Sequence, residues 1–288
     1  MRYKLICTDI DGTLLNDEKK LLPKVKQSLK HVKKMGIEIV LASGRMPAGV
    51  EIVEKELGIK CIKMCNAGSY ILMEEQCIST EYLPNSVMQD ISKMLADKSE
   101  IPLWIFRERE WFVTGIDEYV RKEIGFVSYH PKVVNVNDLA EQWEREGNRA
   151  NKLVIAAKPE TIKEIYKEMK HKVWQDIDLA CSADTLLEIF PKGVNKGKAL
   201  YTICQKLKIC PKEVIALGDH ELDIPLIEAA GTGIAMGNAI TALKEKADFI
   251  TKSNNEAGVA YALEHYLLNE RPTIKSQVDN GKNQKKLS

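Results

Sequence analysis

The pattern of apolar and polar positions in the first forty residues predicts a β-strand, an α-helix and a second strand. An apolar run at residues 3–6 predicts the first strand, which leads into a polar turn. Pro23 favours a helix start, since its fixed φ suits the first turn, and the apolar residues 25, 29 and 32 follow at helical spacing. Gly36 closes this helix before the apolar run 37–42. The segment is therefore a predicted βα unit followed by a strand.

The alternation of predicted strands and helices continues to residue 64 and resumes after residue 191. A helix is expected at 48–57 and a third strand at 62–64. After residue 191 the expected elements are a helix at 197–207, a strand at 214–217, a helix at 224–230, a strand at 232–236 and a last segment at 259–268. Strands separated by helices are typical of a parallel sheet covered on both faces. We therefore predict an α/β fold with a Rossmann-like parallel-sheet core, formed by residues 1–83 and 188–270.

Residues 84–187 have a different pattern. Two apolar runs, 102–106 and 111–114, flank a charged turn as in a β-hairpin. A strand at 153–157, a helix at 159–170 and strands near 173–181 and 185–190 are expected to follow. All four tryptophans lie in this stretch, where we expect core positions, with sugar-binding platforms as the alternative. The sequence therefore predicts a second, mixed α+β domain, residues 84–187, inserted into the first.

The charges of the chain are nearly balanced, with 42 Lys and Arg against 41 Asp and Glu among 288 residues. Five of the basic residues and one acidic residue lie in the last 18 positions, so the remainder is slightly acidic. Nothing in this balance indicates a nucleic-acid binder. The tail, residues 271–288, lacks aromatic residues and periodicity, and we predict that it is disordered. A short RNA-binding arm is the competing interpretation.

The seven cysteines are an odd number, and the chain starts without the pattern of a signal peptide. We therefore expect a cytoplasmic protein with free thiols. Cys61 and Cys65 lack partners at zinc spacing, so they are expected to be small buried residues, with a metal or redox role as the alternative. No apolar run has the length of a membrane span, and no membrane partner is expected.

The most specific local pattern is Asp9-Ile-Asp11-Gly-Thr, where the first predicted strand ends. Alternation along a strand places Asp9 and Asp11 on one side, and the turn after a parallel strand is the usual ligand crevice of such a sheet. An EF-hand loop is excluded, because its sixth and twelfth positions would be Leu14 and Lys20 where Gly and Glu are required. A turn that uses Asp and Gly only for backbone reasons is the remaining alternative.

Other polar residues are predicted to lie at the same edge of the sheet. Ser43-Gly44 follows the second strand, Lys196 opens a helix, and Asp219 and Asp223 follow the strand at 214–217. A cation held by carboxylates, together with a lysine, neutralises a phosphoryl dianion, while a hydroxyl and backbone N–H groups hold its oxygens. The set therefore suits a phosphate ester. A solvated Lys196 and a helix-capping Ser43 are the competing interpretations.

Four motifs in this order, DIDGTLL, ASGR, NKG and GDHELD, start at residues 9, 42, 195 and 218. The chain resembles the haloacid dehalogenase-like hydrolases, specifically the Cof-type sugar-phosphate phosphatases, over essentially residues 2–270. The resemblance implies a Mg²⁺-dependent phosphatase that acts on small phosphorylated metabolites. It also implies a large α+β cap domain, residues 84–187, inserted after the third core strand. For the oligomeric state we expect a monomer or homodimer.

By position, the resemblance implies that Asp9 is the nucleophile and a metal ligand. Asp11 is implied as the general acid and base, which binds the metal through its backbone carbonyl, and Asp219 completes the Mg²⁺ ligands. Two carboxylates near one cation can divide into an ionised nucleophile and a protonated donor. The other implied residues hold the phosphoryl group or support the metal loop: Ser43, Gly44 and Lys196 for the first role, and Asp223 for the second.

Two positions depart from the family pattern. Leu222 stands where the family usually carries an Asn that contacts the phosphoryl group, and Asn66-Ala67-Gly68 inverts the usual Asn-Gly-Ala. Leu222 favours an alternative function, a phospho-ligand-binding protein with weak or no phosphatase activity. Phosphoryl transfer to a second sugar is the third interpretation.

Overall fold

The computed structural model describes residues 2–98, 100–172 and 174–268, so the predicted disordered tail lies outside the described residues. In chain order, the described strands are β1 (Leu5–Asp9), β2 (Glu38–Ala42), β3 (Ile62–Cys65), β4 (Tyr70–Met73), β5 (Gln76–Thr80), β6 (Leu103–Arg107), β7 (Glu110–Val113), β8 (Lys132–Val133), β9 (Lys152–Ala156), β10 (Ile177–Ala183), β11 (Leu186–Pro191), β12 (Val214–Gly218), β13 (Thr232–Ala235) and β14 (Phe249–Ile250). The described α-helices are α1 (Pro23–Lys34), α2 (Pro47–Leu57), α3 (Asn85–Met94), α4 (Glu118–Val127), α5 (Val136–Glu146), α6 (Pro159–His171), α7 (Lys196–Leu207), α8 (Ile224–Ala229), α9 (Thr241–Lys244) and α10 (Gly258–Leu263).

The first sheet has the strand order β14-β13-β12-β1-β2-β3-β4-β5. Its strands from β14 to β3 are parallel, and β1 lies between β12 and β2. Every residue of β1 is buried, as expected for a parallel strand covered on both faces. Helix α1 buries Val25, Leu29 and Val32 in the same hydrophobic core. The predicted α/β fold is confirmed.

The hairpin β4–β5 is a part of this sheet that the sequence pattern did not predict. Both strands pair antiparallel beyond β3, so the stretch at 84–187 follows the fifth strand of the chain and not the third. The turn between them is Glu74-Glu75, and both residues have positive φ values of 49° and 66°. Such turns usually contain Gly or Asn. The hairpin therefore lacks the sequence signal by which it could be recognised.

The second sheet has the order β10-β11-β9-β6-β7-β8 and is antiparallel except for the short β7–β8 pair. Alternate residues of β6 face opposite sides of this sheet. Leu103 and Ile105 pack in one cluster with α3, α5 and α6, whereas Trp104 and Phe106 pack in another with α4. The second cluster also contains Met46, which precedes α2. This face of the second sheet therefore lies over the first sheet's carboxyl edge.

The second sheet includes all of β11, which the predicted limit between residues 187 and 188 would divide. The strand pairs with β9 and β10 as far as Pro191, because its alternating apolar residues complete the core of that sheet. The extents of the two domains stay a prediction.

Among the helices of the described residues, none combines the length and the apolar character needed to cross a membrane.

Candidate active site

The carboxyl edge of the parallel sheet brings Asp9, Lys196 and Asp223 together. Asp9 ends β1, Lys196 begins α7, and Asp223 lies just before α8. Lys196 Nζ donates hydrogen bonds to Asp9 Oδ1 and to Asp223 Oδ1, each at 2.5 Å. All three side chains are buried. Lys196 is therefore not a solvated lysine, and residues far apart in the sequence form one ionic cluster.

The loop after β12 is held by Asp223. The second oxygen of this carboxylate accepts hydrogen bonds from the backbone N–H groups of Asp219 and His220, both at 3.0 Å. Position 218 has to be glycine because a Cβ there would overlap the Asp223 side chain. These contacts fit the implied role of Asp223 as the support of the Asp219 loop.

The Asp219 carboxylate lies against the turn that follows β1. Thr13 Oγ1 donates a hydrogen bond to Asp219 Oδ1 at 2.6 Å. Gly12 has a φ of 81°, and a Cβ at this position would overlap the Asp219 side chain. One oxygen each of Asp9, Asp219 and Asp223 lies within 4.8 Å of the others. The Asp-Gly-Thr turn thus creates space for a third carboxylate, and the cluster has the all-oxygen ligands that Mg²⁺ prefers.

Burial sets the protonation tendencies of this cluster. Burial and the neighbouring Asp223 raise the pKa of Asp9 well above its ordinary value, although Lys196 opposes the shift. Burial alone would lower the pKa of Lys196, but Asp223 and Asp9 outweigh it and raise that pKa. The lysine is therefore a permanent cation at the centre of the site.

The side chain of Asp11 faces a different partner. Arg45 Nε donates to Asp11 Oδ2 and Arg45 Nη2 donates to Asp11 Oδ1, both at 2.7 Å, and Lys19 Nζ donates to Oδ1 at 2.9 Å. Burial alone would raise the pKa of Asp11, but the hydrogen bonds and charges of Arg45 and Lys19 outweigh burial and lower it. The surrounding protein groups alone thus favour a protonated Asp9 and an ionised Asp11. The expected assignment is the opposite, with Asp9 ionised and Asp11 protonated.

Ser43 and Gly44 lie where β2 ends. Ser43 is buried, and its Oγ accepts a hydrogen bond from the backbone N–H of Arg45 at 3.1 Å. It does not cap a helix, because α2 begins at Pro47 and its cap is Met46. The Gly44 carbonyl accepts a hydrogen bond from Lys152 Nζ at 2.6 Å.

A cavity of about 630 Å³ opens above this edge and is lined by residues from both sheets. The predicted site residues on its wall are Asp9, Asp11, Ser43, Gly44, Lys196 and Asp223. Sequence reasoning assigned no role to several other wall residues, namely Lys19, Arg45, Lys152 and Ser182. Lys152 also pairs with Glu188, which accepts a hydrogen bond from Ser182 Oγ at 2.5 Å. Two sequence signals pointed to this part of the wall: Arg45 in the motif ASGR, and Glu188, which lies four residues before Lys192-Gly193.

We expect Asp219→Asn to stabilise the protein at pH 7 in the presence of a chelator. Burial raises the pKa of Asp219 from 3.8 to about 6, with a further contribution from Asp223 and opposition from the Thr13 hydrogen bond. The folded state therefore binds this proton more tightly than the unfolded chain, so the ionised carboxylate costs stability above pH 6, and the cost disappears below pH 4. The substitution should raise the free energy of unfolding at pH 7 by roughly 2 kcal/mol, measured by urea denaturation in EDTA.

A matched substitution should act in the opposite direction. Burial alone would raise the pKa of Asp178, but Lys192 and the backbone N–H of Gly193 outweigh it and lower that pKa. The ionised Asp178 therefore contributes stability at pH 7 that is lost as the pH falls, and Asp178→Asn should destabilise the protein at pH 7. Destabilisation of similar size by both substitutions at pH 7 would contradict the raised pKa of Asp219.

An acidic cluster and a buried lysine at the carboxyl edge of a parallel sheet are typical of α/β enzymes that act on phosphate esters. A model of the haloacid dehalogenase-like hydrolase family matches residues 6–263. The chain therefore belongs to this family, as its motifs predict, and is a phosphatase of the haloacid dehalogenase type.

Relatives and solved structures match nearly the whole chain. The Bacillus subtilis protein YkrA is 30% identical over 264 residues, which cover 91% of this chain and 97% of that protein. The 5-amino-6-(5-phospho-D-ribitylamino)uracil phosphatase YcsE of the same organism is 29% identical over 272 residues, with coverage of 92% and 96%. A crystal structure of a haloacid dehalogenase-like hydrolase from Bacteroides thetaiotaomicron has a TM-score of 0.80 at 28% identity and covers 91% of this chain and 99% of that one.

Proposed function

We propose that this chain is a Mg²⁺-dependent phosphatase of small phosphorylated metabolites, in particular sugar phosphates, and that it acts through an aspartyl-phosphate at Asp9. The observation that carries the proposal is the buried contact of Lys196 with Asp9 and Asp223. A buried ion cluster is a weak way to stabilise a fold, because desolvation of its charges offsets their attraction. Its placement at the sheet's ligand-binding edge supports a role in binding a phosphoryl group.

The proposed Mg²⁺ ligands are the carboxylates of Asp9 and Asp219 and the backbone carbonyl of Asp11. The close approach of carboxylate oxygens from Asp9, Asp219 and Asp223 supports this assignment. When bound, the ion would neutralise phosphoryl charge and offset the burial that raises the pKa of Asp9.

In the proposed reaction, an oxygen of Asp9 attacks phosphorus, and the ester P–O bond breaks as Asp11 gives its proton to the leaving oxygen. Water then loses a proton to Asp11 and attacks the aspartyl-phosphate, which releases inorganic phosphate and regenerates both carboxyl groups. The covalent intermediate splits one difficult displacement into two easier ones. Lys196, Ser43 and the Gly44 backbone are proposed to hold the phosphoryl oxygens throughout.

The cavity wall supports a sugar as the leaving group. Glu123 lines the cavity, and its carboxylate has no hydrogen bond or ion pair within the described residues; burial raises its pKa. A hydroxyl group donates and accepts, so it matches this side chain in either protonation state.

We further propose that residues 84–187 form a cap that excludes water and selects the substrate, while residues 1–83 and 188–270 form the catalytic core. The cavity wall, which combines residues of both sheets, supports this division.

Seven free cysteines support a cytoplasmic location, since oxidising compartments favour disulfides. A monomer or homodimer is proposed for the oligomeric state.

A screen of phosphorylated metabolites tests the function. Wild-type protein and the Asp9→Asn variant would be incubated with sugar phosphates, nucleotides and phosphorylated acids, with Mg²⁺ or with EDTA, and phosphate release would be measured. We expect release from a subset of sugar phosphates that requires Mg²⁺ and intact Asp9. Tight binding of these compounds without any phosphate release would instead favour the phospho-ligand-binding alternative.

Leu222 is the feature that favours this alternative. It lies on the walls of both the main cavity and a neighbouring one of about 410 Å³, and it is not packed in a hydrophobic core. An amide at this position could donate to a phosphoryl oxygen, and a hydrogen bond to a charged group contributes roughly 1.5–3 kcal/mol. Leucine lacks this donor. The wild-type enzyme is therefore expected to be slow.

We expect Leu222→Asn to raise kcat/KM for the best sugar phosphate at least about tenfold, because each 1.4 kcal/mol is a factor of ten. Leu222→Ala serves as the control, since it removes the leucine without adding a donor, and should give no gain. Steady-state kinetics on the three proteins decides the point. A folded Leu222→Asn variant that is no faster than Leu222→Ala would show that the phosphoryl site is built without this position.

A further inference from the structure

Arg45 makes a set of contacts that none of the proposed catalytic steps uses. Its side chain is 10% exposed, and its Nε and Nη2 atoms form the two parallel hydrogen bonds to the Asp11 carboxylate. The third nitrogen, Nη1, donates to the carbonyl of Gly49 in α2 at 3.2 Å. The guanidinium is therefore fixed to the first turn of α2 and contacts both oxygens of the Asp11 carboxylate.

The face of the same guanidinium contacts the second unit of the protein. Arg45 Cζ lies 4.5 Å from the centroid of the Phe126 ring, within the range of a cation–π contact. Phe126 belongs to α4, which packs with the second sheet through Val120 and Val127. One side chain thus connects Asp11 to the helix that covers the cavity.

We propose that Arg45 is a positioning residue that orients the Asp11 carboxylate toward the leaving group and couples this orientation to the place of α4. The inference rests on the proposed acid–base role of Asp11. Two parallel hydrogen bonds fix the rotation of a carboxylate, which a single bond from an ammonium group does not do. A proton donor that is misplaced by about 1 Å can cost on the order of 10²-fold in rate.

The geometry of the guanidinium, and not its charge, is the essential feature. Lysine keeps the charge but lacks the planar fork and stacks less well on an aromatic face, so Arg45→Lys is the diagnostic variant. Lys19 is the matched comparison, because its ammonium also contacts Asp11 but from a side chain that is 48% exposed. Lys19→Met removes charge near Asp11 and leaves the fork intact.

The test compares two substrates of different leaving groups. The leaving group of 4-nitrophenyl phosphate departs without a proton, whereas a sugar alcohol needs one from the general acid. We expect Arg45→Lys to lower kcat for the best sugar phosphate by about 10- to 100-fold and kcat for 4-nitrophenyl phosphate by less than about threefold. Lys19→Met removes an exposed charge and leaves the fork intact, so it should slow the sugar phosphate at least about threefold less than Arg45→Lys does. The aryl substrate also reports that each variant is folded.

Further variants separate the coupling and the underlying function. Phe126→Leu should slow the sugar phosphate selectively, and adding it to Arg45→Lys should cost no more, because both act through one contact. Equal slowing of both substrates by Arg45→Lys, or no slowing, would overturn the positioning role. Asp11→Asn is the reference and should show the same selectivity more strongly. If Asp11→Asn lacks that selectivity, the proposed acid–base role itself is wrong.

Discussion

The Asp9→Asn variant should lose turnover by more than about 10⁴-fold with every substrate, while its fold is unchanged. The amide cannot attack phosphorus, and removal of a nucleophile from a catalytic unit has effects of this order. Burial raises the pKa of Asp9, so its ionised form costs folding free energy, and Lys196 keeps Asp223 as its ion-pair partner. The neutral amide should therefore not destabilise the protein. Phosphate release and thermal unfolding would be measured on the same preparation.

Asp90→Asn is the matched control for this result. Asp90 lies on α3 with a side chain that is 46% exposed, and its only ionic neighbour in the described residues is Lys93 at 3.9 Å. We expect wild-type activity and stability. Residual activity of Asp9→Asn above about one hundredth of wild type, with deamidation excluded by mass spectrometry, is incompatible with Asp9 as the only nucleophile.

The Lys196→Met variant should lose both activity and stability. Without the ammonium, Asp9 and Asp223 remain buried side by side with no counter-charge, and breaking a buried ion pair typically costs about 3–5 kcal/mol. The same loss removes the cation proposed to hold the phosphoryl group, and we expect kcat/KM to fall by roughly 10³-fold or more. Urea denaturation and steady-state kinetics give the two quantities.

Lys198 offers the control on the same helix. It is exposed, and Lys198→Met should change neither quantity measurably, because solvated charges contribute little. A Lys196→Met protein that is as stable as Lys198→Met and retains most of its activity would contradict the buried cluster as the centre of the site.

The hydrophobic pattern predicts most of the parallel core, because parallel strands buried on both faces have continuous apolar runs. The strands at 37–42 and 214–217 follow this rule, and each differs from the observed strand by one residue at one end. The first helix starts at Pro23, as expected. The sequence pattern does not predict the hairpin β4–β5, because its turn is Glu74-Glu75 and contains no Gly or Asn. The pattern does not predict helix α4 either, because Gly125 interrupts its last turns and only part of its apolar residues are buried.

Local sequence predicts some features of the site, and others depend on contacts between distant residues. Turn chemistry at strand ends predicts that Asp9, Ser43, Lys196 and Asp219 meet at one edge, since parallel strands share their carboxyl ends. Asp11 contacts Arg45 from the loop after β2 and Lys19 from its own loop, and no local spacing encodes these side-chain contacts. The same holds for Lys152, which reaches Gly44 from the second sheet. Local sequence therefore predicts which residues carry the chemistry, whereas tertiary packing decides how their charges are oriented.

The central claim is that a phosphoryl group is carried on Asp9. Wild-type protein would be mixed with Mg²⁺ and its best sugar phosphate, quenched in acid within the first turnover, digested at low pH and analysed by mass spectrometry. The expected result is one added phosphoryl group on the peptide that contains Asp9, present at a quench in the first turnover and absent after the substrate is exhausted. Rapid phosphate release with no phosphorylated peptide at any quench time, or with the group on another residue, would contradict it.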